Sequence, residues 1–211
     1  SGNFAQALSL AAKNLGVNAY IVMPNNAPKV KKEAVLSYGG IVTNCEPNIN
    51  ARERAAAAIV SEKGGTFIHP SNDLNVILGN ATAGMELFKA QPDLDIIVTP
   101  VGGGGLIAGT ALAAHYFGTQ CLVIGGEPQA ADDAFRSLQS GQIETNDAAN
   151  TVADGLRTQL GDINFPIIQN HVHRIIRVEE EEITTALRLL WERLKIVVEP
   201  SSAVAFAAVL K

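Results

Sequence analysis

Four consecutive glycines, Gly102 to Gly105, stand between a β-branched run and an Ala-rich run, and they constrain the fold more than any other feature. The preceding run, Ile96-Ile97-Val98, is typical of a buried strand, and residues 106–117 are typical of a helix. Glycines let other groups approach the backbone N–H groups closely, and a helix N-terminus carries a partial positive charge. The stretch therefore predicts either a tight turn or an anion site, and four glycines rather than two favour a phosphate.

The kind of molecule that carries this phosphate stays open at this point. The segment Gly103-Gly104-Gly105-Leu106-Ile107-Ala108 fits the G-x-G-x-x-G/A fingerprint of dinucleotide-binding folds. Glu127 closes the next apolar run, about where an acid that binds ribose would lie. A nicotinamide or flavin dinucleotide is therefore one interpretation, which the spacing alone neither establishes nor excludes.

Short apolar runs alternate with Ala-rich helical patterns along the chain, and Gly, Pro and Asn separate them. This alternation predicts a parallel α/β layer. Asn3 is expected to cap a helix over residues 4–15. A domain boundary is expected near Ile68, after three short helix–strand units. The strands are predicted at residues 19–23, 41–45, 66–68, 96–98, 122–124 and 175–178.

Composition narrows the class of protein. The 211 residues are 47% hydrophobic and 18% charged, which is ample for a packed core, and the net charge of −5 argues against nucleic-acid binding. We find no apolar run long enough to span a bilayer and no signal peptide, so a cytoplasmic protein with Cys45 and Cys121 as reduced, buried thiols is expected. His171 and His173 are expected on one face of a strand, without zinc.

Five ordered segments carry a resemblance to a known family. They are Ser1-Gly2-Asn3-Phe4-Ala5-Gln6-Ala7, Pro100-Val101-Gly102-Gly103-Gly104-Gly105-Leu106, Glu127-Pro128, Ala153-Asp154-Gly155 and Glu199-Pro200-Ser201. Together they resemble the serine racemase and serine/threonine dehydratase family of fold-type II pyridoxal-phosphate enzymes. The dinucleotide interpretation is weaker, because a lone fingerprint is common and the Ser-Gly-Asn opening has no place in a dinucleotide fold.

The resemblance implies an α/β fold of open, mostly parallel twisted sheets with helices on both faces, similar to the tryptophan synthase β chain. It implies that residues 1–68 form a small substrate-side domain and that residues 69–211 form part of a large cofactor-binding domain. The chain lacks an initiator Met and stops at Lys211 inside a helical pattern, so we expect a piece of a longer protein, incomplete at both ends. The family's Schiff-base lysine would precede Ser1, and the partner of the pyridine nitrogen would follow Lys211.

The resemblance also implies roles for individual residues. The phosphate of pyridoxal 5′-phosphate would lie on Gly102, Gly103, Gly104, Gly105 and Leu106, and Asn3 and Glu199 would contact the ring. The substrate would be bound by Ser1, Gly2, Asn3, Phe4, Arg52 and Asp154. Ser1 would also be catalytic, as the acid/base group that racemisation needs on the face opposite the lysine. Phe4 stands where the family usually has His, which is expected to change substrate choice.

A divalent cation and two partners follow from the same resemblance. Glu127, the carbonyl of Ala131 and Asp133 match a cation site, where oxygen ligands suit Mg²⁺, Ca²⁺ or Mn²⁺. From the residues alone, a helix N-terminus is the preferred interpretation of Asp132-Asp133. A homodimer is expected, as is a nucleotide effector near Gln6, Tyr38 and Lys195.

The implied activity is dehydration, an ammonia-lyase reaction, and/or racemisation of serine or a related β-hydroxy amino acid such as threonine or 3-hydroxyaspartate. Two alternatives stay open at this point. One is a dinucleotide-binding oxidoreductase domain. The other is a truncated relative that binds a ligand without turnover, because the nucleophilic lysine is outside this chain.

Overall fold

The computed structural model describes residues 2–211, apart from the side chain of Ile49. The chain divides into two compact units, of which the first ends at Pro70 and the second is Ser71–Lys211. Each unit has its own parallel sheet and its own buried core. The substrate-side and cofactor-side roles expected of the two domains stay predictions.

The first unit is a two-stranded parallel sheet with helices packed against it. Its elements are α1 (Gly2–Leu15), β1 (Tyr20–Pro24), α2 (Lys29–Ser37), β2 (Ile41–Cys45) and α3 (Ile49–Lys63). The strands pair in register from Tyr20 opposite Ile41 to Pro24 opposite Cys45. Small and aliphatic side chains of α1, β1 and α2 form the core, which is why α1 presents alanines to the sheet.

Two local predictions for the first unit are wrong. Asn3 lies inside α1, because the helix already begins at Gly2, so Asn3 does not cap it. Residues 66–68 form no strand, and Phe67 and Ile68 are 55% and 37% exposed. An apolar run of three residues becomes a strand where a neighbouring strand accepts its hydrogen bonds, and these residues pair with none in the described part of the chain.

The second unit is built around a three-stranded parallel sheet with the order β3-β4-β5. The first half of the unit contains α4 (Leu74–Ala90), β3 (Ile96–Pro100), α5 (Gly105–Phe117), β4 (Leu122–Pro128) and α6 (Asp133–Ser140). The second half contains α7 (Asn164–His171), β5 (Arg174–Val178), α8 (Glu180–Leu189) and α9 (Pro200–Leu210). A π-helical turn, Leu190–Leu194, follows α8.

Alternate residues of these strands supply two separate cores. Ile97, Val123 and Ile175 pack with α4, α5 and α7 on one face of the sheet. Val98 and Ile176 pack with α8 and α9 on the other face. The prediction of a parallel sheet with helices on both faces is therefore confirmed. Because the strands are parallel, the glycine run after β3 and Glu127 near the end of β4 lie at the same edge of the sheet.

Two further expectations, for the histidines and the cysteines, need correction. His171 ends α7 and His173 precedes β5, so the two histidines do not share a strand face; the short helix α7 was missed. Cys45 and Cys121 are free but only partly buried. No helix in the described part of the chain is long and apolar enough to cross a membrane.

Candidate cofactor and substrate site

The glycine run connects β3 to α5, and Gly104 is the N-cap of that helix with a φ of 80°. Glycine adopts this left-handed conformation without steric cost, but it has no side chain that could cap the helix. The first hydrogen bond within α5 runs from the Ala108 N–H to the Gly104 carbonyl at 3.0 Å. The N–H groups of residues 104–107 therefore have no acceptor within the helix and form a donor set at its positive end.

The glycines also pack against residues from other parts of the chain, and these residues leave no room for side chains on the loop. A Cβ on Gly102 would lie 2.8 Å from the Leu156 Cα, and one on Gly103 would lie 2.5 Å from the Ser71 hydroxyl oxygen. A Cβ on Gly105 would lie 3.0 Å from the Ser71 Cα. The run is therefore a fixed loop pressed against Ser71 and Leu156, and its N–H groups are held in place.

Two buried carboxylates lie at the end of β4 and the start of α6. Glu127 and Asp133 are both completely buried. The Glu127 carboxylate accepts hydrogen bonds from the N–H groups of Ala134 at 3.0 Å and Phe135 at 2.8 Å. Glu127 thus bonds to the N-terminus of α6, and this contact contradicts a ribose-binding role for Glu127.

Asp133 connects the start of α6 to a later loop. Its carboxylate accepts hydrogen bonds from the Asn146 side-chain amide at 2.7 Å and from the Leu160 N–H at 3.2 Å. Leu160 lies four residues before Asn164, the first residue of α7. The carboxylate of Asp133 therefore helps to hold the segment that follows the loop of residues 141–150.

The surroundings of Glu127 and Asp133 disfavour the charged forms of both carboxyl groups. Burial raises the pKa of Glu127 to about 9, with the charge of Asp133 adding to the effect. Burial also raises the pKa of Asp133 to about 6. Asp132 differs: burial raises its pKa, but hydrogen bonds from Arg136 and Arg177 outweigh that effect and lower it. The arginines thus neutralise Asp132, whereas no basic side chain forms an ion pair with Glu127 or Asp133 in the described residues.

Asp154 and Glu199 lie at a second junction of the same unit. Asp154 begins a 3₁₀ turn, Asp154–Leu156, and Glu199 is the N-cap of α9. The Gly155 N–H donates to the Ser201 hydroxyl at 3.0 Å, so the turn is joined to the start of α9. Leu156 of the same turn packs against Gly102, so this junction is in direct contact with the glycine loop.

The remaining site residues lie in the first unit. Gly2, Asn3 and Phe4 form the first turn of α1, while Ser1 lies outside the described residues. Arg52 lies in α3, and its Nε is buried without a hydrogen-bond partner. A buried donor of this kind is costly unless an acceptor reaches it, which fits an anionic ligand. Of the residues expected near an effector, Gln6 and Tyr38 lie in this unit and Lys195 lies in the second.

Sequence reasoning missed the residues that back the glycine loop. Ser71, Leu156 and Asn164 are distant from the loop along the chain, and no local pattern marks them. A polar residue at the start of a helix, such as Asn164, is the one sequence signal that could have indicated such a role.

Within residues 2–211 no group of three or more His, Cys, Asp or Glu side chains is arranged to hold a metal ion. A cation at Glu127 and Asp133 would therefore need carbonyl oxygens or water as further ligands.

Comparison with known proteins identifies the family to which the chain belongs. Residues 1–211 match the family described as pyridoxal-phosphate dependent enzyme. A β-hydroxyaspartate dehydratase of Paracoccus denitrificans is 46% identical over 211 residues, which is all of this chain and 67% of that protein. The crystal structure of the Dictyostelium discoideum serine racemase matches with a TM-score of 0.93 and 45% identity, covering all of this chain and 67% of that one. The crystal structure of a T.th. threonine deaminase matches with a TM-score of 0.94 and 44% identity, covering all of this chain and 70% of that one.

The chain thus spans about two thirds of the length of these relatives. The family and the fold type predicted from the five segments are confirmed. The glycine loop by itself was consistent with a dinucleotide as the ligand. The match to pyridoxal-phosphate enzymes extends over the whole chain and excludes that interpretation.

Proposed function

The chain belongs to the family of pyridoxal-phosphate dependent enzymes, and from this premise we propose that the protein dehydrates and/or racemises serine or a related β-hydroxy amino acid. The observation that carries the proposal is the uncapped N-terminus of α5 behind a loop that has no room for side chains. Relatives that are 40–46% identical to this chain are named as a dehydratase or as racemases of small amino acids.

The glycine loop is proposed to bind the cofactor phosphate. The N–H groups from Gly102 to Leu106 supply several donors without competing side chains, and the end of α5 adds a favourable field. When bound, pyridoxal phosphate supplies an electron sink for the negative charge that develops at the substrate Cα. Glu199, at the start of α9, and Asn3 are proposed to lie against its ring.

The first turn of α1 is proposed to bind the substrate carboxylate. The N–H groups at a helix start are suited to an anion, and the helix field adds to their hydrogen bonds. Arg52 of the same unit is also proposed to bind the substrate, because its buried Nε has no acceptor among residues 2–211. Asp154 is proposed near the substrate, and the hydroxyl of Ser1 is proposed to exchange a proton with the substrate Cα. Phe4 offers no hydrogen bond where the family usually has His, so it is proposed to influence which side chain is accepted.

A divalent cation is proposed at Glu127, Asp133 and the carbonyl oxygen of Ala131. Glu127 and Asp133 are buried and form no ion pair with a basic side chain of residues 2–211, which fits a hard cation such as Mg²⁺, Ca²⁺ or Mn²⁺. Because Glu127 bonds to the start of α6 and Asp133 to Leu160, the cation's role would be structural. The homodimer and the nucleotide effector stay predictions from the family resemblance, and the cytoplasmic location stays a prediction from the sequence.

The decisive experiment uses the full-length protein. Its absorbance spectrum is recorded for the imine band of bound pyridoxal phosphate, and it is then incubated separately with L-serine, L-threonine and 3-hydroxyaspartate. Keto acid, ammonia and the D-amino acid are measured for each. We expect an imine band and keto acid from at least one substrate. A purified, folded protein without the band after addition of the cofactor would contradict the proposal.

A further inference from the structure

Asn164 is a completely buried polar residue whose side chain connects three parts of the second unit. Its amide nitrogen donates to the carbonyl of Ser71 at 3.0 Å and to the carbonyl of Gly103 at 2.8 Å. Its amide oxygen accepts from the Gly161 N–H at 3.1 Å. Both donors of the amide are therefore used, and one of them holds a carbonyl inside the glycine loop.

The glycine loop is fitted closely around this side chain. A Cβ on Gly104 would lie 2.9 Å from the Asn164 amide oxygen and 2.6 Å from the Leu160 Cδ2. The bond from Asn164 to the Gly103 carbonyl also fixes the peptide group between Gly103 and Gly104. In a planar trans peptide the N–H points opposite to the C=O. Since the Gly103 carbonyl points to Asn164, the Gly104 N–H points away from Asn164.

We infer that Asn164 is a positioning residue for phosphate binding: its amide holds the Gly103 carbonyl, and thereby directs the Gly104 N–H toward the cofactor phosphate. The inference rests on the proposed function, because it assumes that the loop binds this phosphate. Asn164 itself does not contact the phosphate in this arrangement. It acts through the orientation of one peptide group.

A second asparagine provides a matched control. The Asn72 side-chain oxygen accepts from the N–H groups of Ile163 at 2.8 Å and Asn164 at 3.3 Å, and its nitrogen donates to Asp162 at 2.7 Å. Asn72 thus anchors the same segment as Asn164, but these hydrogen bonds do not reach the glycine loop. If Asn164 served only to hold the segment in place, loss of either asparagine would have the same effect on cofactor binding.

The test compares pyridoxal 5′-phosphate with pyridoxal, which lacks the phosphate. The full-length protein is freed of cofactor, and each compound is titrated while the imine absorbance is followed. In Asn164→Asp the Gly103 carbonyl faces a carboxylate oxygen instead of a donor, so we expect about tenfold or greater loss of affinity for the phosphorylated compound. Affinity for pyridoxal is expected to change by less than about twofold, since a single misdirected phosphate donor does not affect it. Asn72→Ala is expected to lower the melting temperature but to keep the wild-type affinity ratio.

Asn164→Ser, which keeps one donor, is the second variant in case a buried carboxylate prevents folding. Protection of the apoprotein against heat by inorganic phosphate is a further measurement that does not need the imine. Equal loss of affinity for both compounds in the Asn164 variants, or the same fall in the ratio in Asn72→Ala, would overturn the inference. A wild-type protein that forms no imine would instead contradict the proposed function, so the two failures are distinguishable.

Discussion

Gly109 of α5 lies so close to α4 that a Cβ on it would be 2.5 Å from the carbonyl oxygen of Ile77 and 2.7 Å from the Ala81 nitrogen. The backbones of the two helices are therefore in direct contact at this point. The contact sets the position of α5 in the core, and hence the position of the helix N-terminus that follows the glycine loop.

Gly109→Ala tests this contact. Alanine is favoured over glycine in a helix by about 1 kcal/mol, but the methyl group would press on backbone atoms of α4 that cannot rotate away. Overpacking typically costs about 1–3 kcal/mol, and an approach of 2.5 Å to a backbone oxygen places this case at the upper end. We therefore expect net destabilisation of about 2 kcal/mol, measured by urea unfolding.

Gly79→Ala is the control for this prediction. Gly79 is an exposed residue within α4, and a Cβ there would meet nothing within 4 Å. The same substitution should therefore stabilise the protein by about 0.5–1 kcal/mol. If both variants shifted the free energy of unfolding in the same direction, close packing of α4 and α5 would not be the cause.

Removal of the proposed cation should destabilise the protein. We expect a chelator to lower the melting temperature and Mg²⁺ to restore it, because Glu127 and Asp133 are buried and the part of the chain that the structure describes offers them no ion pair. Glu127→Gln should abolish the response to Mg²⁺. Glu144→Gln, which alters a nearby carboxylate that pairs with Arg136, should keep it. A wild-type melting temperature that is indifferent to chelator and Mg²⁺ argues against the site.

Substitution of Ser1 should separate the two proposed reactions. Racemisation needs a base that removes the Cα proton on one face and an acid that returns a proton on the other, whereas elimination needs only the lysine face. Ser1→Ala in the full-length protein is therefore expected to reduce D-serine formation by about a hundredfold or more, while dehydration of L-serine largely survives. D-serine and pyruvate are measured separately. An equal loss of both products would mean that Ser1 only positions the substrate.

The hydrogen bond and ion pair of Glu182 at the start of α8 should stabilise the protein less at acid pH. The Glu182 carboxylate accepts the Glu179 N–H at 2.7 Å and pairs with the Lys211 ammonium at 3.1 Å. The Glu179 bond, followed by Lys211, lowers the pKa of Glu182 below its ordinary value. A depressed carboxylate pKa contributes stability above the unfolded pKa, and that stability is lost as the pH falls through the folded pKa.

Glu182→Gln should therefore lower the melting temperature near neutral pH, and the difference from wild type should vanish near about pH 3. Glu181→Gln removes the same charge from an exposed position in the same turn and should have a smaller effect. A difference for Glu182→Gln that stayed constant with pH would show that shape, not charge, is responsible.

The sequence by itself was enough for the features that depend on neighbouring residues. The β-branched run, the four glycines and the Ala-rich run follow each other directly, so a strand, a loop with free N–H groups and a helix could be predicted there. The five segments also indicated the family, because their order and residue types are specific. The error at residues 66–68 has the same origin, since a short apolar run predicts a strand whether or not another strand lies beside it.

The tertiary structure decided what depends on contacts between distant residues. Glu127 had two interpretations, and the approach of the α6 N-terminus to its carboxylate excludes the ribose-binding one. The glycine loop could be predicted, but its backing by Ser71, Leu156 and Asn164 could not. Ser71 precedes α4 and Asn164 begins α7, while the turn that contains Leu156 is joined to the start of α9. Contacts across such distances leave no periodic pattern in the sequence.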